Sequence, residues 1–405
     1  MALVFSGVSF SGGFQIDPTY PPGAPTIGTA TATSATTATV AFTAPANGGS
    51  TTITSYTATS SPGNITGTLN QAGSGTITVS GLTQTTSYTF TVTATNSNGT
   101  SVPSASSNSI TTPSIVPVRK AIFGYGYTYP NIYSITNLVS NTGVVANDTT
   151  GVGTARSELA AASYGTDKAI FGYGTTDGNL AGATSITNLV SNTGVVATDT
   201  TGVGTARYRL AAAGYGTDKA IFGFGVRTVP PYYVSLTNLV SNTGVVATDT
   251  TGVGTARTSL AAAGYGTDKA IFGYGTTGAY VSITNLVSNT GVVANDTTGV
   301  GTARSTLAAA GYGTDKAIFA FGYNSSGALS TTNRVSNTGV VANDTSTVAT
   351  AKFNTAGASY GDDKAIFSYG SSYTTNLVSN TGVMASDTGG VGTSRSFLAA
   401  ASYLS

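Results

Sequence analysis

Residues 120–405 repeat one phrase six times, and this repetition limits the possible folds more than any other feature of the chain. The copies of KAIFGYG, or a close variant, lie 48, 51, 50, 47 and 48 residues apart. Each unit contains four strand-like pieces, in the order LAAAGYG, KAIFGYG, SITNLVS and VVATDT. Four short strands at this period predict a β-propeller in which each unit forms one blade. The copies begin at Lys120, Lys168, Lys219, Lys269, Lys316 and Lys364.

The repeat region is incomplete at both ends, and this predicts how its first module is completed. The copy at Lys120 has no LAAAGYG piece before it, whereas a spare piece of this type, Leu398 to Tyr403, follows the last unit. A ring would use the spare strand to complete the first blade and would leave no open sheet edge. We therefore expect six blades closed by the C-terminal strand. The Ala-rich strand should be innermost, because only small side chains fit near the axis.

The repeated unit resembles a kelch repeat. In that family an Ala-rich strand leads to a hydrophobic strand that ends in a Gly pair, and an Arg-containing phrase precedes the next blade. Here GYG, as at Gly124 and Gly126, stands for the Gly pair, and GTAR stands for the Arg phrase. The two glycines are not adjacent, and a Val such as Val145 replaces the family's Trp. Regulator-of-chromosome-condensation repeats are less similar. The resemblance implies a kelch-like propeller.

The N-terminal part of the chain has a different composition. Its first 118 residues contain one charged side chain, Asp17. Short alternating runs such as TATVAF and SYTFTVTATN follow one another with turns every ten residues or so, which indicates an antiparallel sandwich. The segment PSIVPV then reads as a stiff linker.

This sandwich segment resembles a fibronectin type III domain. ANGGSTTITSYT leads to Tyr56, Leu82 is followed by Tyr88 in the position of the family's corner Tyr, and the segment ends at Pro113. Phe42 stands where the family has Trp. The resemblance implies a β-sandwich spacer, with a hydroxyl of Tyr88 hydrogen-bonded back to the chain. The whole chain is therefore predicted to be all-β. We divide it into an N-terminal docking arm (1–22), a sandwich (23–113), a linker (114–119) and a propeller (120–405).

The composition excludes several kinds of chemistry. The chain has no His and no Cys, so it has no Ser-His-Asp triad, no imidazole or thiolate metal site and no disulfide. Glu158 is the only Glu, which excludes a pair of glutamates for glycoside hydrolysis. A net charge of +1 disfavours electrostatic binding of nucleic acid or an anionic membrane. We predict a protein without enzymatic activity, cofactor, metal or membrane insertion.

Two charged residue types recur once in each unit. The Asp of the DTTG-like phrases supplies one carboxylate per blade, so we predict Asx turns rather than calcium sites. The basic residue of the GTAR phrase should form a ring in which each side chain bonds carbonyl groups of the neighbouring blade. An anion-binding collar for acidic or phosphorylated sugars is the alternative. The basic ring comprises Arg156, Arg207, Arg257, Arg304, Lys352 and Arg395.

Departures from the repeat are the better guide to a binding surface, because structural duties recur in every unit whereas contacts with a partner need not. The two residues after each basic residue vary, and so does the loop between the second and third strands. In an up-and-down blade both lie on one side, and Tyr on such loops offers amphipathic contact surface. Ordinary drift of loop sequences is the alternative. The candidate receptor face comprises Tyr127, Tyr129, Tyr133, Tyr208, Arg209, Arg227, Tyr232, Tyr233, Tyr280, Tyr323, Phe353, Tyr373 and Phe397.

The order of domains is similar to that of tailed-bacteriophage particles, in which Ig-like modules carry adhesive β-domains. This resemblance implies a virion appendage (a tail, neck or head fibre) present in several copies or as a homo-oligomer. Its arm would bind other virion proteins, and its propeller would contact host-surface glycan or protein. The N-terminal sequence lacks an export signal, so we expect assembly in the host cytoplasm and release by lysis. A cell-surface or secreted carbohydrate-binding adhesin and an intracellular kelch-type scaffold are the alternatives.

Overall fold

The computed structural model describes residues 19–114 and 117–405. The chain divides into two compact units, Met1–Val116 and Pro117–Ser405. Across the described residues nearly all regular structure is β, and one short 3-10 helix, Leu180–Gly182, is the exception. The protein is therefore all-β, as the alternating and repeated runs predict. Residues 1–18 of the predicted docking arm lie outside the described residues.

The described residues of unit 1 form eight strands in two sheets. One sheet has the order β1-β2-β5, and the other has the order β4-β3-β6-β7 with β8 also paired to β6. The strands are β1 (Thr26–Ala32), β2 (Thr37–Thr43), β3 (Ser55–Ser61), β4 (Thr66–Leu69), β5 (Gly75–Ser80), β6 (Ser87–Asn96), β7 (Gly99–Thr100) and β8 (Ile110–Thr111).

The core of unit 1 follows from the alternation of its strands. In β6 every second residue is buried, which directs one face of the strand to the core. The rings of Phe42 and Tyr56 lie 4.2 Å apart in this core. The hydroxyl of Tyr88 accepts a hydrogen bond from the backbone N–H of Thr83 (2.9 Å). That contact is the one expected of a corner tyrosine.

Unit 2 consists of six similar modules, numbered 1 to 6 from the copy of KAIFGYG at Lys120. The strands of modules 1 to 3 are β9 (Arg119–Thr128), β10 (Asn131–Val139), β11 (Ala160–Tyr164), β12 (Lys168–Gly172), β13 (Thr187–Val190), β14 (Arg207–Tyr208), β15 (Ala211–Tyr215), β16 (Lys219–Gly223), β17 (Val226–Arg227) and β18 (Thr237–Val240). Those of modules 4 to 6 are β19 (Ala261–Tyr265), β20 (Lys269–Gly273), β21 (Thr284–Val287), β22 (Ala308–Tyr312), β23 (Lys316–Ala320), β24 (Tyr323–Asn324), β25 (Gly327–Ala328), β26 (Thr331–Val335), β27 (Thr345–Ser346), β28 (Ala356–Tyr360), β29 (Lys364–Ser368), β30 (Thr374–Val378) and β31 (Thr388–Gly389). The last strand, β32 (Ala399–Leu404), belongs to module 1.

Each module is an antiparallel sheet with the KAIFG strand in the centre, flanked by the Ala-rich first strand and by the third strand. The predicted fourth strand forms only in part. In modules 5 and 6 a two-residue strand, β27 or β31, pairs with the third strand. In module 1 the fourth piece meets the third strand only through isolated bridges, such as that between Val139 and Val145, and the side chain of Asn137 bonds the carbonyl of Ala146 (3.0 Å) beside them.

Module 1 contains strands from both the N-terminal and the C-terminal end of unit 2. Strand β32 pairs with β9 in antiparallel register from Ala399 opposite Gly124 to Leu404 opposite Arg119. This is the pairing that the spare Ala-rich piece predicts.

Consecutive modules share their hydrophobic cores. The cluster between modules 1 and 2 includes Tyr125 and Phe171, whose rings lie 5.1 Å apart. Five similar clusters follow, and the last joins module 6 to module 1, where Phe123 lies 5.4 Å from Tyr369. Each module therefore buries its apolar side chains against both of its neighbours, which a single three-stranded sheet could not do alone.

The Ala-rich first strands of all six modules line a common polar cavity of about 220 Å³. Hydroxyl groups join neighbouring strands there: Ser163 Oγ donates to the carbonyl of Ser402 (2.7 Å), and Ser402 Oγ donates to that of Ser359 (2.8 Å). Small side chains allow the six strands to approach one another, as predicted for this piece of the repeat. The residues at this level are Ser163, Gly214, Gly264, Gly311, Ser359 and Ser402.

Candidate functional site

The six basic residues are buried between consecutive modules, each with an exposed fraction of 1% or less. Arg257, on the segment that enters module 4, is representative. Its guanidinium donates to the carbonyls of Tyr274 (2.8 Å) and Thr255 (3.1 Å) and to Oδ1 of Asn285 (2.7 Å). It also lies 4.4 Å from the ring centre of Phe224 in module 3. The group therefore ties one module to the aromatic core of the preceding one.

The repeated Asp completes this arrangement, and the prediction of Asx turns is wrong. Asp296 accepts hydrogen bonds from the backbone N–H of Thr255 (3.0 Å) and from Asn285 (2.8 Å), and it lies 3.8 Å from Arg257. Its partner Thr255 precedes it by 41 residues, whereas an Asx turn binds its own neighbours. Burial alone would raise the pKa of Asp296, but these hydrogen bonds and the nearby Arg257 hold the pKa below its ordinary value. The same role falls to Asp148, Asp199, Asp249, Asp344 and Asp387.

We call the buried basic residue, the third-strand Asn and the Asp of each module the clamp. Lys352 replaces Arg in module 6, where its ammonium donates to Asn376 Oδ1 (2.5 Å) and lies 4.7 Å from the ring centre of Phe321. The basic groups are enclosed by protein and already face carboxylate, amide or carbonyl oxygens. This geometry favours the structural role over an anion-binding collar.

Two residues after each basic residue, the chain presents a residue that differs in all six modules. These six residues, which we call the mouth residues, share one backbone conformation, with φ between 53° and 57°. Each backbone N–H donates to the carbonyl of the previous mouth residue, at 2.8 to 3.2 Å, and the last of these bonds returns to the first residue. A cyclic set of six hydrogen bonds therefore fixes their backbone whatever the side chain. The mouth residues are Glu158, Arg209, Ser259, Thr306, Asn354 and Phe397.

The mouth residues surround a small cavity of about 90 Å³. Five leucines and one threonine, the next residues along the chain, form its floor. The floor residues are Leu159, Leu210, Leu260, Leu307, Thr355 and Leu398. The cavity thus combines a mainly apolar floor with a rim of five different polar residues and one phenylalanine, and small-molecule sites commonly combine such surfaces.

The rim carries one ion pair. Oε1 of Glu158 lies 2.9 Å from Nη2 of Arg209, and the Glu158 side chain is 5% exposed whereas that of Arg209 is 41% exposed. Burial raises the pKa of Glu158, although the hydrogen bond and charge of Arg209 act against this. Arg209 also lies over the ring of Tyr208, at 5.5 Å. The two charges balance, so the rim is close to neutral overall.

The structure brings the two variable parts of each module together. Ser157 forms a bridge with Thr175, and Tyr208 pairs with Val226, so the segment after the basic residue lies beside the loop between the second and third strands. Four tyrosines of these loops are well exposed, by 84%, 50%, 36% and 39% of their surface. These exposed residues are Tyr129, Tyr232, Tyr280 and Tyr323.

Several residues of the candidate receptor face are less accessible to a ligand than their position in the sequence predicts. Tyr208 is buried, and Arg227 is engaged with its own loop through the carbonyls of Pro230 (3.1 Å) and Pro231 (2.9 Å). The hydroxyl of Tyr373 donates to the carbonyl of Gly392. The half-buried remainder of the candidate face comprises Tyr127, Tyr133, Tyr233, Phe353 and Phe397.

The variable pair after each basic residue marks the position of all six mouth residues in the sequence, but the candidate receptor face includes only Arg209 and Phe397 of them. The emphasis of that face on aromatic and Arg side chains leaves out the four others, Glu158, Ser259, Thr306 and Asn354. The described residues contain no cluster of three or more acidic side chains that could hold a metal ion. Nor does the described part of the chain include a helix long and apolar enough to span a membrane.

Comparison with known proteins bears on unit 1. The family model of the fibronectin type III domain matches residues 23–110. No match to the chain was found among curated proteins. The match agrees with the two-sheet architecture and with the hydrogen bond of Tyr88. The chain therefore contains an N-terminal fibronectin type III domain.

Proposed function

We propose that unit 2 is a six-bladed, kelch-like β-propeller that recognises a surface ligand, and that the fibronectin type III domain serves as its spacer. The chain would be a non-enzymatic appendage of a tailed bacteriophage. Host-surface glycan or protein would be the partner of the propeller, and other virion proteins would be the partners of the N-terminal arm.

Three contacts that run through all six modules support the propeller. The apolar clusters, the aromatic pairs and the mouth hydrogen bonds each pass from one module to the next and return from module 6 to module 1. The pairing of β32 with β9 joins both borders of the unit in one sheet. Such an arrangement leaves neither border strand unpaired, which is the advantage of a closed array.

One observation carries the proposal of recognition. Side chains that differ from module to module gather where the backbone is fixed by six identical hydrogen bonds, and exposed tyrosines lie on loops beside them. A rigid frame with variable, amphipathic side chains loses little conformational entropy on binding. The absence of His and Cys from the sequence, and its single Glu, favour binding over catalysis.

The assignment to a virion rests on the order of the domains. A bacterial adhesin would use the same face, so a separate test must distinguish the two. Antibodies against the chain should label an appendage on particles released by lysis. Labelling of the cell envelope in the absence of particles would instead support the adhesin.

Recognition itself is tested with the full chain on an array of bacterial surface glycans. We expect binding, and we expect Tyr129→Ala combined with Tyr232→Ala to weaken it about tenfold, because exposed aromatic residues dominate such contacts. The matched control is Tyr20→Ala, an exposed tyrosine of unit 1. Equal loss in the control, or no binding to any glycan or host cell, would contradict the proposal.

A further inference from the structure

Two buried oxygen atoms at the mouth lack hydrogen-bond partners among the described residues. They are Oε2 of Glu158 and Oδ1 of Asn354, and both side chains line the mouth cavity. Glu158 as a whole is 7% exposed, and only its other oxygen is bonded, to Arg209. A buried acceptor without a donor is costly, and few are retained in proteins without a reason. These two atoms therefore point to a ligand that supplies donors.

The charge at the rim limits what that ligand can be. The charge of the Glu158 carboxylate is already balanced by Arg209, so a second cation would meet the guanidinium, which repels it. An anion would meet the oxygens of Glu158 and Asn354, which repel it. A neutral ligand with hydroxyl donors meets neither obstacle.

The shape of the cavity adds a second condition. Its floor consists of five buried leucines and the buried Thr355, and Phe397 lines the rim. A cavity of about 90 Å³ admits part of one small ring rather than a long chain. A neutral pyranose has both required surfaces, because its C–H face is apolar and its edge carries hydroxyl groups.

We propose that the mouth binds one neutral sugar residue of a surface glycan, with sugar hydroxyls donating to Glu158 and Asn354 and the C–H face against Leu159, Leu398 and Phe397. This inference rests on the proposed function and specifies its ligand. Arg209 holds Glu158 in place from the solvent side of the rim.

The test measures binding of single sugars to the full chain by ligand-observed NMR. The panel contains neutral hexoses and N-acetylhexosamines, with glucuronate and glucosamine as charged probes. We expect at least one neutral sugar to bind with a Kd of about 1–10 mM, as is reasonable for so small a contact. Tighter binding of either charged probe would overturn the proposal, as would binding of none of the sugars.

Matched variants locate the site. Asn354→Gly removes an unpartnered oxygen, and Asn64→Gly in unit 1 is its control because it is the same exchange on a similar left-handed backbone outside the mouth, with φ of 51° against 55°. We expect Asn354→Gly and Glu158→Gln each to weaken binding about tenfold, whereas Asn64→Gly changes it less than about twofold. Equal losses in all three would contradict the assignment. Asn354→Gly alone suffices if Glu158→Gln fails to fold.

The glycan array distinguishes a failure of the sugar site in the mouth from a failure of the proposed glycan recognition. If Glu158→Gln and Asn354→Gly retain full binding on the glycan array while the Tyr129 and Tyr232 variant loses it, the face recognises glycan but the mouth does not. Loss in both sets supports both proposals.

Discussion

Arg257 and Ser259 are separated by one residue, the first in the clamp and the second in the mouth. The clamp uses nearly the same side chains in all six modules, fully buried and bonded through their charged ends. The mouth uses six different side chains on one repeated backbone, held by bonds between main-chain atoms. Where side chains make the bonds, their identity is restricted. Where the backbone makes them, the side chains are free to vary.

This comparison explains why repetition and variation alternate within so short a segment. Changing a clamp residue would leave the buried side-chain oxygen of its Asn partner without a donor, which is costly. Changing a mouth residue leaves the cyclic hydrogen bonds intact. The mouth is therefore a place where binding properties can change without loss of the fold.

The largest effect is expected from breaking the clamp. Arg257→Met keeps a side chain of similar length but leaves Asn285 Oδ1 and the carbonyl of Tyr274 without a donor, and it removes the cation that lies 3.8 Å from Asp296. We expect the free energy of unfolding to fall by about 2–5 kcal/mol, measured by denaturant titration. Arg227→Met, the same exchange on a surface loop, should cost less than about 1 kcal/mol. Similar losses for the two variants would show that the buried clamp contributes no more to stability than an arginine on a surface loop.

The sequence predicted much of this frame, because a repeat of about 50 residues fixes the number of modules and the role of their small and apolar strands. It did not predict the clamp of Asp296, because the bonded Thr255 lies 41 residues away and belongs to the preceding unit. It pointed to the variable pairs that contain the mouth residues, but it predicted neither their shared backbone conformation nor the cavity that they surround. Six unlike residues with positive φ have no common residue type, whereas such a conformation usually shows itself as Gly or Asn.

A second prediction uses the module in which the clamp has a different cation. Burial lowers the pKa of Lys352 from its ordinary 10.5 to about 8, although the charge of Asp387 acts against this. Between these values the unfolded chain binds more protons than the folded one, so stability increases with pH. From pH 7 to 8.5 we expect a gain of about 0.8 kcal/mol in the free energy of unfolding. The range ends at pH 8.5 because burial raises the pKa of many tyrosines, so their ionisation in the unfolded chain above about pH 9 lowers stability and opposes the gain.

The control for this pH dependence is Lys352→Arg, which restores the cation of the other five modules. Arginine stays protonated throughout the range, so the rise in stability should disappear in the variant. A rise that persists in Lys352→Arg would show that another group titrates, and the pH dependence could not then be assigned to the clamp of module 6.

A third prediction concerns the one ion pair of the mouth. Glu158 and Arg209 lie 2.9 Å apart, but the Arg side chain is 41% exposed and solvent screens the interaction. A double-mutant cycle with Glu158→Gln and Arg209→Met should give a coupling energy of no more than about 1 kcal/mol. A coupling as large as the loss in Arg257→Met would place this pair with the clamp, as a structural contact rather than part of a binding rim.

The smallest effect is expected at a mouth residue without an ion pair. In Ser259→Gly two backbone effects oppose each other: Gly removes the strain of a left-handed conformation (φ 55°), but it increases the entropy of the unfolded chain. Because the bond from the Ser259 N–H to the carbonyl of Arg209 (2.9 Å) does not involve the side chain, it survives the change. We expect the free energy of unfolding to change by less than about 0.5 kcal/mol, measured in the same titration as Arg257→Met. A loss of more than about 2 kcal/mol would mean that side chains, and not the backbone alone, hold the mouth together, and its variety would then need another explanation.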